Sequence, residues 1–333
     1  MKTGINLKKD EVSYWVDIVL AIIFGLAAAI AVRIFDWVVD FSTLFDPEKM
    51  NWFFVILIPT AGGFVVGLVA FVSKMKASGG VVDVIAHIFT RKHIISKPKA
   101  LLKPVLSAVS IISGNPVGSE APVVMLGAQI ASFSSNLFRL PRARKRMLIA
   151  CGSAAGIASA FLSPLAAIAF ALEIILMEFT MYEFGMLALS TGSAYIGANL
   201  LKSHPIIHVP HMEVLEWTNL WLFILLGIIC AVVAVFWTKI LHFLEHFADK
   251  YPKSIFWGPI VAGFSAGVIA IFVPQIWGPG YHQMSAMFVT KMPFYAALGI
   301  VFAKLIGTSM VLGLGGAEVT LPPVCLLVLV SGL

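Results

Sequence analysis

Gly114-Asn115-Pro116-Val117-Gly118-Ser119-Glu120-Ala121-Pro122 decides how this chain is read, because it sets glycines, proline and one carboxylate inside sequence otherwise fit for lipid. The glycines permit tight backbone and let main-chain N–H groups come close to a ligand. Pro122 suits the first turn of a helix, where its missing N–H costs nothing, and 123–130 reads as that helix. A helix N-terminus presents unpaired N–H donors and the positive end of the macrodipole, so it attracts anions. Glu120 stands beside it with an anion of its own. The stretch therefore reads as an anion site for which a carboxylate competes.

The same theme returns near the end of the chain. Gly313-Leu314-Gly315-Gly316 leads into Ala317-Glu318-Val319-Thr320-Leu321-Pro322-Pro323 and an apolar run to Leu333. Two broken segments in corresponding halves point to the central site of a transporter. Glu318 is a candidate second gate, weighed against ordinary loop chemistry.

Composition places both segments in a bilayer. Of 333 residues 59% are hydrophobic and 12% charged, half the about 25% charged residues of a soluble domain. The start carries Lys2, Lys8 and Lys9 like a signal peptide, but the apolar run after it is long, contains Asp17 and Arg33 and shows no cleavage site. A retained first membrane helix is expected. Spans are predicted over 14–41, over 52–72 with a break at Pro59 and Gly62-Gly63, and over 185–201, 221–243, 257–273 and 294–312. The segments 104–113 and 121–138 bracket the organising loop, and 147–179 is interrupted at Ser163-Pro164. Ser78-Gly79-Gly80 opens a helical stretch, 81–89, too short to cross; such half-helices are tolerated at depth only inside protein or beside a water-filled cavity. The polar stretch 202–219 divides the chain into a first membrane repeat, 1–201, and a partial second one, 220–333.

Other chemistries find less support. The net charge of +6 concentrates in two clusters, Arg91, Lys92, Lys97, Lys99 and Lys103, and Arg139, Arg142, Arg144, Lys145 and Arg146. Both flank membrane segments, where a cytoplasmic basic excess is expected, so nucleic acid is not the predicted partner. Cys151, Cys230 and Cys325 lack metal spacing and read as small core residues. His242-Phe243-Leu244-Glu245-His246 fits a zinc-peptidase pattern, H-x-x-E-H, but lies at the polar end of a span with no third ligand placed by motif. His204, His208 and His211 read as loop histidines. No metal, cofactor or enzymatic activity is expected.

In these residues the sequence resembles the CLC family of chloride channels and chloride/proton antiporters. Gly118-Ser119-Glu120-Ala121-Pro122 is similar to the family's Gly-Arg/Lys-Glu-Gly-Pro signature. The stretch 152–168, with Ala154-Ala155-Gly156 and Phe161-Leu162-Ser163-Pro164, resembles the following helix pair. Phe272-Val273-Pro274 with Gly278-Pro279-Gly280-Tyr281, and 313–323, resemble second-half motifs. The resemblance implies an all-α polytopic protein of the cell membrane, an inverted-repeat bundle of about ten tilted and broken helices. Its ligand would be chloride, its partners the lipid bilayer and a second copy of the chain. It further implies that Glu120 is the gate and that backbone at Gly118, Ser119, Ala121, Thr320 and Leu321 presents N–H groups to the anion. Ser78-Gly79-Gly80-Val81-Val82-Asp83 would line the inner site through Gly79 and Gly80.

Departures shape the expectation. Gly79 takes the place of an ion-coordinating serine, Ser119 that of the basic residue before the gate, and Leu321 that of a phenylalanine. Glu173 is the proton-pathway candidate, but Ile174 occupies the family's inner proton-glutamate position, which favours a channel-like or uncoupled pathway. The family's last helices have no counterpart before Leu333. The second repeat is therefore expected to be incomplete, and a non-conducting assembly or regulatory role stands as the alternative.

Overall fold

The computed structural model describes residues 7–75, 79–90, 95, 98–201, 203, 220–251, 253–281, 283–285 and 293–316. Among them there is helix and turn but no strand. In chain order the helices are α1 (Leu7–Val39), α2 (Trp52–Ser73), α3 (Val81–Phe89), α4 (Leu102–Ile112), α5 (Glu120–Leu137), α6 (Arg142–Phe161), α7 (Pro164–Phe170), α8 (Met181–Leu200), α9 (Leu220–Asp249), α10 (Ser254–Phe272) and α11 (Phe294–Gly313). Helix α7 continues as a π-helical turn, Ala171–Leu176. Among the described residues five stretches, on α1 with the turn after it and on α2, α9, α10 and α11, are long and apolar enough to cross a membrane. The short α3 is the half-length helix that the sequence predicts, and α7 begins at the predicted interruption, Ser163-Pro164.

The described residues group into two compact units whose pieces interleave along the chain. The first gathers Met1–Trp37, Gly80–Pro104 and Glu120–Pro205; the second gathers Val38–Gly79, Val105–Ser119 and Ile206–Leu333.

The first unit is built on α5 and α6, whose backbones touch. A Cβ added to Gly127 would come 1.9 Å from the Gly152 carbonyl oxygen, and one on Gly156 would come 2.3 Å from that of Val123. Small residues allow this approach, and packing at short range holds helices together where lipid offers no hydrophobic drive. Val124, Met125, Leu148, Ile149 and Leu187 fill the core around the crossing.

Three residues of the second basic cluster, Arg142, Arg144 and Arg146, are tied into the first unit. Arg144 pairs with Asp17 of α1, which is 2% exposed. Arg146 donates to the Leu176 carbonyl at 2.8 Å, pairs with Glu178 at 3.2 Å and lies over the Phe89 ring. Arg142 donates to the Phe89 and Thr90 carbonyls, tying the end of α3 to the start of α6. Tyr182 completes the buried group by donating to Asp17 Oδ2 at 2.6 Å. A hydrogen bond to a buried charge is worth about 1.5–3 kcal/mol, so Tyr182→Phe is expected to lower stability by that amount. The check is the thermal midpoint in detergent; an unchanged midpoint would mean that Arg144 alone satisfies Asp17.

The second unit centres on α2 and α10, which run continuously through Pro59 and Pro259. The predicted break at Pro59 is not there. Proline inside a membrane helix is tolerated where neighbouring helices compensate, and here each proline sits at the crossing. A Cβ on Gly63 would meet the Pro259 carbonyl oxygen at 2.1 Å, and one on Gly263 would meet that of Pro59 at 2.1 Å. The two helices carry one pattern: Pro59-Thr60-Ala61-Gly62-Gly63-Phe64-Val65-Val66-Gly67 and Pro259-Ile260-Val261-Ala262-Gly263-Phe264-Ser265-Ala266-Gly267. Each helix gives the other the same contact, the reciprocity expected of repeats related by a two-fold axis.

Candidate anion site

The organising loop, 114–119, belongs to the second unit and is braced from three sides. From its own flank, Asn115 Nδ2 donates to Ser113 Oγ at 3.1 Å and to the Ser110 carbonyl at 3.3 Å. From the turn after α10, the Trp277 indole packs on Gly114: a Cβ there would come 2.1 Å from Trp277 Cε2. Gly114 has φ +85°, which only glycine adopts freely, and its carbonyl accepts from the Gly278 N–H at 3.0 Å. From α11, Thr308 Oγ1 donates to the Pro116 carbonyl at 2.7 Å. Lys304, on the same helix and 4% exposed, donates to the carbonyls of Ile276 and Gly278. Ser119 closes the loop against Tyr281.

Between Ser119 and Glu120 the chain passes into the first unit, where α5 begins. Glu120 is the first residue of this 18-residue helix, half-buried, with its Oε2 fully buried. Ala121, Pro122 and Val123 behind it are buried. The first-turn N–H groups of a helix have no intrahelical acceptor. They and the positive helix end are available to a carboxylate or to a free anion of similar reach.

The glycine pair before α3 is conformationally special, as its sequence suggests. Gly79 has φ +138° and Gly80 φ +50°. Gly80, in the first unit, caps α3, its carbonyl accepting from Asp83 and Val84. Asp83 lies in the first turn of α3 and pairs with Lys103, so a fixed carboxylate already faces that helix end. Helix α3 packs on α5, where His87 Nε2 lies 3.4 Å from Ser132 Oγ. Glu173 lies in the π-helical turn and is exposed, with Ile174 beside it. Ser78, Glu318, Thr320, Leu321, His204, His208, His211 and Cys325 lie outside the described residues. No three His, Cys, Asp or Glu side chains are placed to share a metal ion among the described residues, and His242 Nδ1 lies 2.9 Å from the Thr238 carbonyl.

Sequence reasoning missed Trp277, Lys304 and Thr308. A signal was present for Lys304, a lone cation in an otherwise apolar span. An ionisable residue at bilayer depth is a functional candidate by default.

Helices long and apolar enough to span, the short glycine-capped α3 and the short α7 between them, and a carboxylate at the first residue of α5 define a multi-pass integral membrane protein of the broken-helix kind. Residues 61–318 match the family described as voltage gated chloride channel, and the chain belongs to that family. It is 30% identical over 271 residues, 76% of its length, to chloride channel protein CLC-e of Arabidopsis thaliana. The chain spans 37%, 56% and 50% of the lengths of the first three curated relatives it matches. Its fold is that of solved CLC structures. A slow cyanobacterial Cl-/H+ antiporter superposes with TM-score 0.81 at 20% identity, over 92% of this chain and 76% of that one. A CLC-type fluoride/proton antiporter superposes with TM-score 0.74 at 20% identity, over 95% and 78%.

Proposed function

We propose that this protein carries small anions, chloride first, across the membrane through a pathway gated by Glu120. The observation behind this reading is the placement of Glu120 as the first residue of α5, one oxygen buried, directly after a loop whose backbone is braced at Gly114, Pro116 and Ser119. Backbone N–H groups at Gly118, Ser119 and Ala121, with Gly79 and Gly80 and the Thr320–Leu321 segment, replace part of the hydration shell of the ion. Neutral donors suit a permeating ion, since binding must stay weak enough for it to leave. Glu120 competes for the same donors while ionised and yields them when protonated or displaced. Homodimeric assembly and the division into repeats 1–201 and 220–333 are part of the same reading.

The gate reading leaves two coupling schemes. Ile174 beside Glu173 supports an uncoupled, channel-like pathway. The solved neighbours described as proton antiporters support exchange, with Glu173 as the inner proton carrier in its π-helical turn. Purified protein in liposomes, with chloride efflux and proton movement recorded together, separates them. Chloride efflux without proportionate proton movement is expected. A fixed ratio between the two would establish exchange, and absence of efflux would leave the non-conducting, assembly role.

A further inference from the structure

Ser119 directly precedes Glu120, and the proposed site uses its backbone N–H as an anion donor. That donor is occupied. Tyr281, 162 residues away in sequence, places its Oη 3.4 Å from Ser119 N and 3.1 Å from Ser119 Oγ. Ser119 itself is 3% exposed, so its amide depends on a local acceptor. The amide contact is long against the 2.7–3.2 Å of a well-formed N–H···O bond, so the phenol oxygen satisfies this N–H only weakly.

The hydroxyl is delivered there by a braced turn rather than by a mobile side chain. Lys304 Nζ holds the Ile276 and Gly278 carbonyls. Gly280, with φ +89°, passes so close that a Cβ would lie 3.1 Å from Lys304 Nζ. Trp277 is buried against Gly114, and the Gly278 N–H binds the Gly114 carbonyl. Loop and turn thus set each other's register, and the Tyr281 hydroxyl stands at the last residue before the gate.

A phenol oxygen is a neutral acceptor, whereas an anion takes hydrogen bonds roughly twice as strong. An anion arriving at the Ser119 N–H would therefore replace the hydroxyl, at the cost of that weak bond. We infer that the Tyr281 hydroxyl is an internal competitor of the permeating anion, resting on the Ser119 amide when no anion is there and holding anion affinity down. This rests on the reading of the Glu120 loop as an anion site.

The test is a chloride titration of the purified full-length chain by calorimetry, wild type beside Tyr281→Phe. Removing a neutral hydrogen bond of ordinary net worth corresponds to about 3- to 10-fold, so Tyr281→Phe is expected to bind chloride about 3- to 10-fold more tightly. A purely structural tyrosine would leave affinity unchanged or weaken it. Should Tyr281→Phe not yield folded protein, Ser119→Ala, which removes the second contact of the hydroxyl but keeps the amide, is expected to tighten binding in the same direction. Wild-type binding with no tightening in the variant overturns this inference alone. No chloride binding by the wild type overturns the anion-site reading and this inference with it.

Discussion

Replacing Glu120 with glutamine is expected to raise chloride flux from reconstituted vesicles and to flatten its dependence on pH. The side chain keeps its size and loses its charge. In the wild type the carboxylate sits at the N-terminus of α5 with Oε2 buried. An anion there gains about 0.3–1 kcal/mol from the helix dipole, and up to about 2 kcal/mol when partly buried. A free anion must displace this attachment. Since 1.4 kcal/mol is a factor of ten, removing it raises flux at neutral pH by about 10-fold where entry of the ion is limiting. The sign with pH follows from the same competition. Protonation neutralises Glu120, so wild-type flux rises as pH falls, and Glu120→Gln behaves at every pH as the wild type does in acid. The measurement is chloride efflux from liposomes across a pH series. An identical rate and an identical profile in the two proteins would remove Glu120 from the gate.

Much of the fold was legible because membrane sequence is strongly patterned. The stretch 81–89 is a helix with the predicted bounds, α5 starts one residue before the predicted 121, and the interruption at Ser163-Pro164 is present. The start of α8 was missed by four residues although its signal was local: Thr-x-x-Glu at 180–183 is the capping-box pattern, and Thr180 caps the helix, its Oγ1 accepting from the Glu183 N–H at 3.1 Å. Pro59 misled because a helix breaker in water is only a crossing point when another helix packs on it. The basic cluster at 139–146 has internal partners that its composition does not disclose. Its composition suits a cytoplasmic loop, yet Arg144 and Arg146 are consumed by Asp17, Glu178 and a helix-end carbonyl.

The candidate site was legible only in part. Local sequence exposes what a short segment can do, so the glycine–glutamate–proline theme was readable. It does not expose what distant residues do to that segment. The bond from Thr308 to the Pro116 carbonyl joins residues 192 apart, and the Tyr281 contact joins residues 162 apart. No periodicity in either neighbourhood announces these pairs. The repeat in α2 and α10 is different, since the shared Pro-x-x-x-Gly-Phe-x-x-Gly pattern is written in the sequence itself, more closely than the looser resemblance between the two loops.

That repeat carries the second large expectation: Gly63→Leu and Gly263→Leu each abolish the folded protein. At both positions a Cβ alone would lie 2.1 Å from a carbonyl oxygen on the opposite helix. The atom it meets is backbone at a proline, so it cannot swing aside as a side-chain end would, and the helices must part. Separation then also opens the contacts of Gly67 with Phe256 and of Gly267 with Ile56, so close packing is lost along the whole crossing. Overpacking by a methyl typically costs about 1–3 kcal/mol, the expectation for Gly63→Ala; leucine adds volume that no local shift accommodates. Nothing lies within 4 Å of a Cβ added at Gly192 or Gly227. There alanine replaces glycine inside a helix with a gain of up to about 1 kcal/mol, so Gly192→Ala and Gly227→Ala should be neutral or stabilising. Size-exclusion profiles and thermal midpoints in detergent read both signs in one experiment. Because Gly63 and Gly263 report on a single crossing, their alanine variants should combine non-additively, the double variant losing less than the two single losses together. If Gly63→Leu elutes and melts like Gly192→Leu, the α2–α10 crossing is not what holds the second unit together.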